Sequence, residues 1–308
     1  MDKRSDRTTG TAGHLTREDS VDPATEAFIT HRNLLFTVAY EMLGSAADAE
    51  DVLQETWLRW ADVDFDAVRE KRAHLVRIAT RQALNRLRAL RRRKESYVGP
   101  WLPEPLLTTA DVADDVELAD SVSMAMLLVL ETLAPTERAV FVLRDVFALD
   151  YDDIAEAVDE SPVAVRQIAH RARAHVAARR PRETVSPAET RGALAAFQQA
   201  VETGDLRRLL DMIAPDIVLL TDGGGIVQAA LAPVVGADRV AHVLGRLDAG
   251  IVLQPVEVNG YPALILRLGE RIDTVLAAHI DEGLITGLYA VRNPEKLSRV
   301  DRETAVSR

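Results

Sequence analysis

The sequence contains no cysteine. That excludes a disulfide framework and a thiolate metal site, and it fits a reducing compartment. Long apolar runs are missing too. The longest, such as Met124 to Leu130, are far too short to cross a bilayer. The opening residues, MDKRSDRTTGTAGHLTREDS, are charged and polar and have no signal-peptide core. There is no internal repeat and no low-complexity block. These absences describe a soluble, cytoplasmic protein with no membrane partner. At 308 residues, two or three domains are expected.

The formal net charge is −11, which taken alone argues against nucleic acid. Its distribution argues otherwise. Lys71 to Lys94 holds ten Lys or Arg and no carboxylate, and Ser161 to Arg182 holds six Arg and no carboxylate. Between them, Ser96 to Thr136 holds seven carboxylates and no Lys or Arg. Phosphate contacts are local and screened within a Debye length, so this segregation matters more than the sum.

The second basic segment belongs to a helix-turn-helix pattern. Helices are expected at about Glu137–Phe147, Tyr151–Val158 and Pro162–Val176, the second capped by Asp150 and the third by Ser161 ahead of Pro162. In the third, Val165, Ile168, Ala169, Ala172 and Val176 form one apolar stripe. Arg166, Gln167, His170, Arg171 and Arg173 fall off the stripe. A helix buried on one side and basic on the other suits a major groove.

Upstream, helices are expected at Ala24–Leu43, Ala46–Trp60 and Arg72–Lys94, and again at Glu117–Leu133. The prolines Pro100, Pro103 and Pro105 forbid a helix between them. Trp101, Leu102, Leu106 and Leu107 are too apolar for a pure spacer, so this linker should pack on something. After Arg179 the texture changes. Two helices (Glu189–Glu202, Asp205–Ile213) lead to a strand at Asp216–Thr221, a glycine turn at 222–225, a strand at Val227–Val235 and a helix at Ala237–Leu247. Strands follow at Ile251–Val258, Ala263–Leu268, Ile272–Ile280 and Leu284–Val291. Helices followed by antiparallel strands give an α+β layout. The expected division is a disordered start (1–22), an all-α domain (23–97), a linker (98–116), an all-α helix-turn-helix domain (117–180), a linker (181–188), an α+β domain (189–297) and a tail (298–308).

The first 180 residues resemble a sigma factor of the extracytoplasmic-function class. DAEDVLQETWLRW (Asp48–Trp60) is similar to the polymerase-docking helix of region two, Arg72–Lys94 to the adjacent promoter-melting helix, and Leu133–Val176 to region four. The tail resembles the subfamily that carries a fused SnoaL-like, polyketide-cyclase-like domain. That subfamily has WLPEPL in the linker, DGGG in the added domain and NPDKL near the end. Here they read WLPEPL (Trp101, Leu102, Pro103, Glu104, Pro105, Leu106), DGGG (Asp222, Gly223, Gly224, Gly225) and NPEKL (Asn293, Pro294, Glu295, Lys296, Leu297). Ile226 stands where a lysine often follows the DGGG.

The resemblance implies two helical sigma domains followed by a cone-shaped, cystatin-like or NTF2-like domain. It implies an alternative sigma factor that binds core RNA polymerase and directs initiation at specific promoters. Asp48, Asp51, Gln54 and Glu55 would meet the polymerase. Arg77, Arg81, Gln82, Asn85, Arg86 and Arg88 would meet the minus-10 region. Arg166, Gln167, His170 and Arg171 would read the minus-35 element, with Ser161 and Arg173 on phosphates. The tail would regulate by packing on WLPEPL, making a separate anti-sigma factor unnecessary, and its pocket is a candidate site for a small-molecule ligand. No cofactor and no metal are expected. Asp273, His279, Asp281 and His242 are the candidates for a general base in the cone, but the chain reads as a non-enzyme. The competing reading is a ligand-sensing helix-turn-helix regulator that never touches polymerase.

Overall fold

The computed structural model describes residues 22–109, 116–179, 185–247 and 250–307. The expected disordered start and residues 181–184 of the second linker lie outside the described residues.

Three long helices open the fold: α1 (Pro23–Leu43), α2 (Ala46–Ala61) and α3 (Lys71–Lys94). Asp22 caps α1 by accepting the Thr25 N–H, and Gly44, at φ 67°, ends it. Ser45 starts α2 by accepting the Asp48 N–H. Val76, Ala79, Ala83 and Leu87 of α3 are buried, as their spacing predicts.

The expected helix Glu117–Leu133 is two helices, α4 (Val116–Val122) and α5 (Met124–Glu131). The break is at Ser123, whose Oγ accepts the Met126 N–H, while the Val122 carbonyl accepts from the Asn259 side chain. A distant side chain thus takes a carbonyl that a continuous helix would use. The next helix, α6 (Pro135–Phe141), passes into a π turn at Val142–Val146 closed by the Phe147 N–H on the Val142 carbonyl. The helix-turn-helix is completed by α7 (Tyr151–Val158) and α8 (Pro162–Ala177). Asp150 holds the N-cap position of α7 without making the side-chain cap. Its carboxylate stands 3.9 Å from Arg144 instead. Asp159, at φ 61°, makes the turn. The helices from α1 to α8 share one buried apolar cluster, from Leu35 through Leu87 to Val140 and Ile168.

The remainder is α9 (Pro187–Thr203), α10 (Leu206–Met212), α11 (Ala237–Leu244) and a six-stranded sheet in the order β2-β1-β6-β5-β4-β3. The strands are β1 (Ile213–Asp222), β2 (Val234–Val235), β3 (Ile251–Val258), β4 (Tyr261–Leu268), β5 (Arg271–Asp281) and β6 (Leu284–Val291). Three expectations need correction. β1 starts where α10 ends, earlier than the sequence suggests. It runs parallel to β6, the one parallel pair among the described strands. The strand expected at Val227–Val235 shrinks to its last two residues. Side chains hold the rest out of the ladder: Arg292 donates to the Gln228 carbonyl at 2.6 Å, and Thr221 Oγ1 accepts the Ala230 N–H at 2.7 Å.

The inner face of this sheet packs Leu264, Leu266, Leu276 and Leu288 against Leu194 and Phe197 of α9. The outer face buries Ala263, Ile265, Val275 and Val291 against Leu102 of the linker and Met124 of α5. This is the cone of the cystatin-like or NTF2-like class, with Leu276, Leu288 and Phe197 among its inner residues. Leu107 of the linker bridges to Val258 and to Glu303, so linker and C-terminal residues extend the sheet. A one-turn helix, α12 (Pro294–Leu297), precedes those residues, and Val306 reaches the helical core.

Candidate nucleic-acid interface and the joint behind it

On α8 the predicted stripe is buried, and Arg166, Gln167, His170, Arg171 and Arg173 are exposed on the other side. Ser161 Oγ accepts the Ala164 N–H at 3.2 Å and fixes the helix start. Arg173 meets Asp145 at 2.6 Å, Arg171 stands 3.8 Å from Glu137, and Arg166 lies 5.3 Å from the Tyr151 ring centre. Exposed pairs of this kind are worth under about 1 kcal/mol, so a phosphate or base edge can displace them.

On α3, Arg81, Asn85 and Arg88 are exposed and Gln82 is half-buried. Arg86 turns towards α2, its Nε 2.6 Å from Asp48 and its Nη2 2.5 Å from Asp51. Gln54 is exposed, and Glu55 stands 3.7 Å from Arg59. One arginine of the basic face thus neutralises two carboxylates of the acidic one. The remaining contacts join the two basic elements. Arg77 is ion-paired with Glu156 of α7, and Arg81 donates to the Glu156 carbonyl at 2.7 Å. The first helix of the helix-turn-helix therefore lies across α3.

The linker motif, the glycine turn and the C-terminal motif meet in one buried joint. Asp222 is fully buried. Its Oδ1 accepts from the Tyr97 hydroxyl at 2.6 Å and the Gly224 N–H at 3.0 Å. Its Oδ2 accepts from the Leu102 N–H at 2.8 Å and Lys296 Nζ at 2.7 Å. Lys296 also donates to the Leu102 carbonyl at 2.5 Å. The Trp101 ring centre lies 3.2 Å from Lys94 Nζ and 4.2 Å from Lys296 Nζ. Gly224, at φ 62°, has no room for a β-carbon, which would lie 2.3 Å from Asn293 Nδ2. Asn293 starts α12 by accepting the Glu295 N–H behind Pro294, and Leu297 enters the outer-face core.

Within the linker, Pro103 and Pro105 keep the chain extended, and Glu104 reaches back to accept from Ser45 Oγ and the Ala47 N–H. Leu102 enters the core of the sheet and Leu106 that of the helices. Burial pushes the Lys94 ammonium down to about 8, although Glu131, 2.6 Å away, opposes the shift. Burial lowers Lys296 too, against the pull of Asp222. For Glu131 burial works the other way, but Arg138 and Lys94 together hold its carboxyl below the usual range.

A second joint escaped the sequence reading. Asn259, at φ 56°, was recognisable only as half of an Asn-Gly turn. Its Nδ2 donates to the Tyr40 hydroxyl at 2.7 Å and the Val122 carbonyl at 2.8 Å. Its Oδ1 accepts the Leu106 N–H at 3.0 Å. The Tyr40 hydroxyl in turn donates to the Glu104 carbonyl at 2.7 Å. One amide thereby ties α1, the linker, α4 and the sheet.

Residues 27–93 match Sigma-70 region 2, and residues 123–176 match Sigma-70, region 4. The ECF RNA polymerase sigma factor SigJ of Mycobacterium tuberculosis is 32% identical over 292 residues, 87% of this chain and 91% of SigJ. The probable ECF RNA polymerase sigma factor SigI of the same organism is 33% identical over 287 residues, 92% of this chain and 97% of SigI. The chain belongs to the extracytoplasmic-function (ECF) RNA polymerase sigma factors. The crystal structure of M. tuberculosis SigJ superposes with a TM-score of 0.72 at 30% identity, covering 89% of this chain and 98% of SigJ. An ECF sigma factor joins core RNA polymerase and directs it to promoter DNA, and that is the function of this one.

The candidate base residues stand outside the cone. Asp273 is bound by Arg292 at 3.0 Å. His279 pairs in register with Gly287 on the outer face, next to Asp281. His242 is exposed on α11. Among the described residues, no helix is long and apolar enough to cross a membrane.

Proposed function

We propose that the C-terminal domain is a built-in brake that holds the two promoter-reading elements of this ECF sigma factor against each other. The carrying observation is the seating of Glu156 on Arg77 and Arg81. Elements named for positions 10 and 35 are about 85 Å apart on B-DNA at 3.4 Å per base pair. Helices that touch through Glu156 cannot read both. The ion pair itself, with Glu156 63% exposed, contributes under about 1 kcal/mol. The shared apolar core and the buried joints at Asp222 and Asn259 must therefore hold the closed form.

In the open form Arg77, Arg81, Gln82, Asn85, Arg86 and Arg88 would hold the melted minus-10 strand, where arginines and amide side chains can grip splayed bases. Arg166, Gln167, His170 and Arg171 would read the minus-35 groove, with Ser161 and Arg173 on phosphates. Asp48, Asp51, Gln54 and Glu55 would dock on polymerase. The brake removes the need for a separate anti-sigma protein, the cytoplasm is where the protein would act, and the C-terminal domain does no catalysis. The pairing of Asp273 with Arg292 supports the last point.

The test is transcription by core RNA polymerase from promoter fragments of the native genome. Full-length protein is compared with Asp222→Ala, Glu156→Ala and a deletion after about Arg182. Higher output from the variants supports a brake. Equal promoter choice and output from all four would defeat it.

A further inference from the structure

Val163 is an apolar residue on the polar side of α8. It follows Pro162 in the first turn of that helix and is 62% exposed. At about 100° per residue, it points within roughly 20° of the direction opposite the buried stripe of Val165, Ile168, Ala169, Ala172 and Val176. Gln167, one turn on, lies about 40° to one side of it, and His170, two turns on, about 20° to the other. Both are exposed, as is Arg166. Val163 therefore stands on the outermost line of the basic face. Ser161 Oγ, accepting the Ala164 N–H at 3.2 Å, fixes the turn that carries it.

A lone exposed valine needs no explanation on most surfaces. Here its neighbours give it one. The first turns of the second helix of a helix-turn-helix are the part that meets base edges. Among the groups a major groove presents, donors and acceptors suit Arg166, Gln167 and His170, and the C5 methyl of thymine is the apolar one. Polar side chains cannot match that methyl, whereas a branched hydrocarbon can. Valine is also stiff at χ1, so seating it against a methyl costs little rotamer freedom. We propose that Val163 is a specificity-determining residue that reads the C5 methyl of a thymine in the minus-35 element. The proposal rests on the reading of α8 as the minus-35 helix. Val163 precedes Gln167 by one turn, about 6 Å along the axis, so its thymine is a near neighbour of the base that Gln167 reads.

Deoxyuridine isolates the methyl, because it keeps the pairing and the O4 acceptor of thymine. Polymerase holoenzyme formed with the full-length chain would be titrated with a promoter fragment from which it initiates. Each thymine of the minus-35 element, on either strand, is replaced singly by deoxyuridine. With the wild-type chain, one replacement is expected to weaken binding about fourfold, the worth of one buried methyl. Val163→Ala should weaken binding to the unmodified fragment by a similar factor and make that replacement silent. Alanine is the better helix former, so a loss in this variant does not come from a weakened helix. Either of two results would overturn the contact: no thymine whose methyl matters, or a replacement that costs as much with Val163→Ala as with wild type. Gln167→Ala separates this contact from the reading beneath it. If that variant also leaves every minus-35 preference unchanged, α8 does not read the element and both ideas fall. If it relaxes one position while Val163→Ala behaves as wild type, the methyl contact alone falls.

Discussion

The Tyr40 hydroxyl and the Asn259 amide meet at 2.7 Å across 219 positions of sequence, inside a fully buried junction. Tyr40 comes from the first helix and Asn259 from a hairpin of the last domain. Burial pushes the Tyr40 hydroxyl far above its ordinary range, so it remains a donor at any workable pH. Replacing either residue orphans the buried groups that it bonds. Asn259→Ala strands the Val122 carbonyl and the Leu106 N–H in a buried site. It should cost about 2–4 kcal/mol in urea unfolding, with Tyr40→Phe costing roughly half as much. Equal, near-zero costs would mean that water replaces the amide freely.

The Asp222 joint makes a similar prediction with a different signature. Removing one partner of a buried pair leaves a charge uncompensated, so Asp222→Ala should destabilise by about 3–5 kcal/mol. Lys296→Met also leaves a charge without its counter-charge, but Asp222 keeps the Tyr97 hydroxyl and the Leu102 and Gly224 N–H groups as donors, and the unbranched side chain stays over Trp101, so it should cost less than Asp222→Ala. Trp101 fluorescence on Trp57→Phe and Trp60→Phe backgrounds would report whether the linker has left its seat.

Lys94 predicts a pH dependence of stability. Its pKa drops from 10.5 to about 8 on folding, so folding releases a proton between these values. Below about pH 8 both states carry the charge and the burial penalty is constant. Between pH 8 and 10.5 the folded state has shed the proton, and this group's contribution to stability rises with pH. The stability of wild type relative to Lys94→Met should therefore improve through that window. A flat difference would show that Lys94 keeps its ordinary pKa.

On α8, Gln167→Ala should relax preference at one promoter position by about 1–3 kcal/mol, as expected for a base contact. Arg173→Ala should weaken binding of all sequences alike and reduce its salt dependence. Binding titrations of the polymerase holoenzyme on minus-35 variants at two salt concentrations separate the two.

The face of α8 was legible because burial there follows from local periodicity: Val165 and Ala172 face inward whatever surrounds the helix. The capping of α2 by Ser45 and the αL end of α1 at Gly44 have the same local origin. The break at Ser123 was not legible, since Met124–Leu130 is as helical as the stretch before it. It depends on Asn259 arriving at the Val122 carbonyl. The motifs WLPEPL, DGGG and NPEKL were visible as strings, but nothing in them says that Asp222 faces Lys296 or that Trp101 lies beside two ammonium groups. The parallel pairing of β1 with β6 is hidden for the same reason: it is decided by the crossover of the strands between them. Which residues of α3 would touch DNA is the least legible of all, because Arg86 and Arg77 look alike in sequence. One neutralises Asp48 and Asp51, and the other meets Glu156.

The seating of Val306 in the helical core has a consequence for the order in which the molecule is made. Regions two and four emerge from the ribosome before the strands and the C-terminal residues that pack on them. At roughly 5–20 residues per second the delay is on the order of 10 s. During that interval the nascent chain already has both DNA-reading helices but lacks the segment that closes over them. Under the brake proposed above, a nascent chain would be able to read promoters until its C-terminal domain folds, so the rate of synthesis, and not only the amount of folded protein, would set how much promoter-competent sigma factor the cell holds.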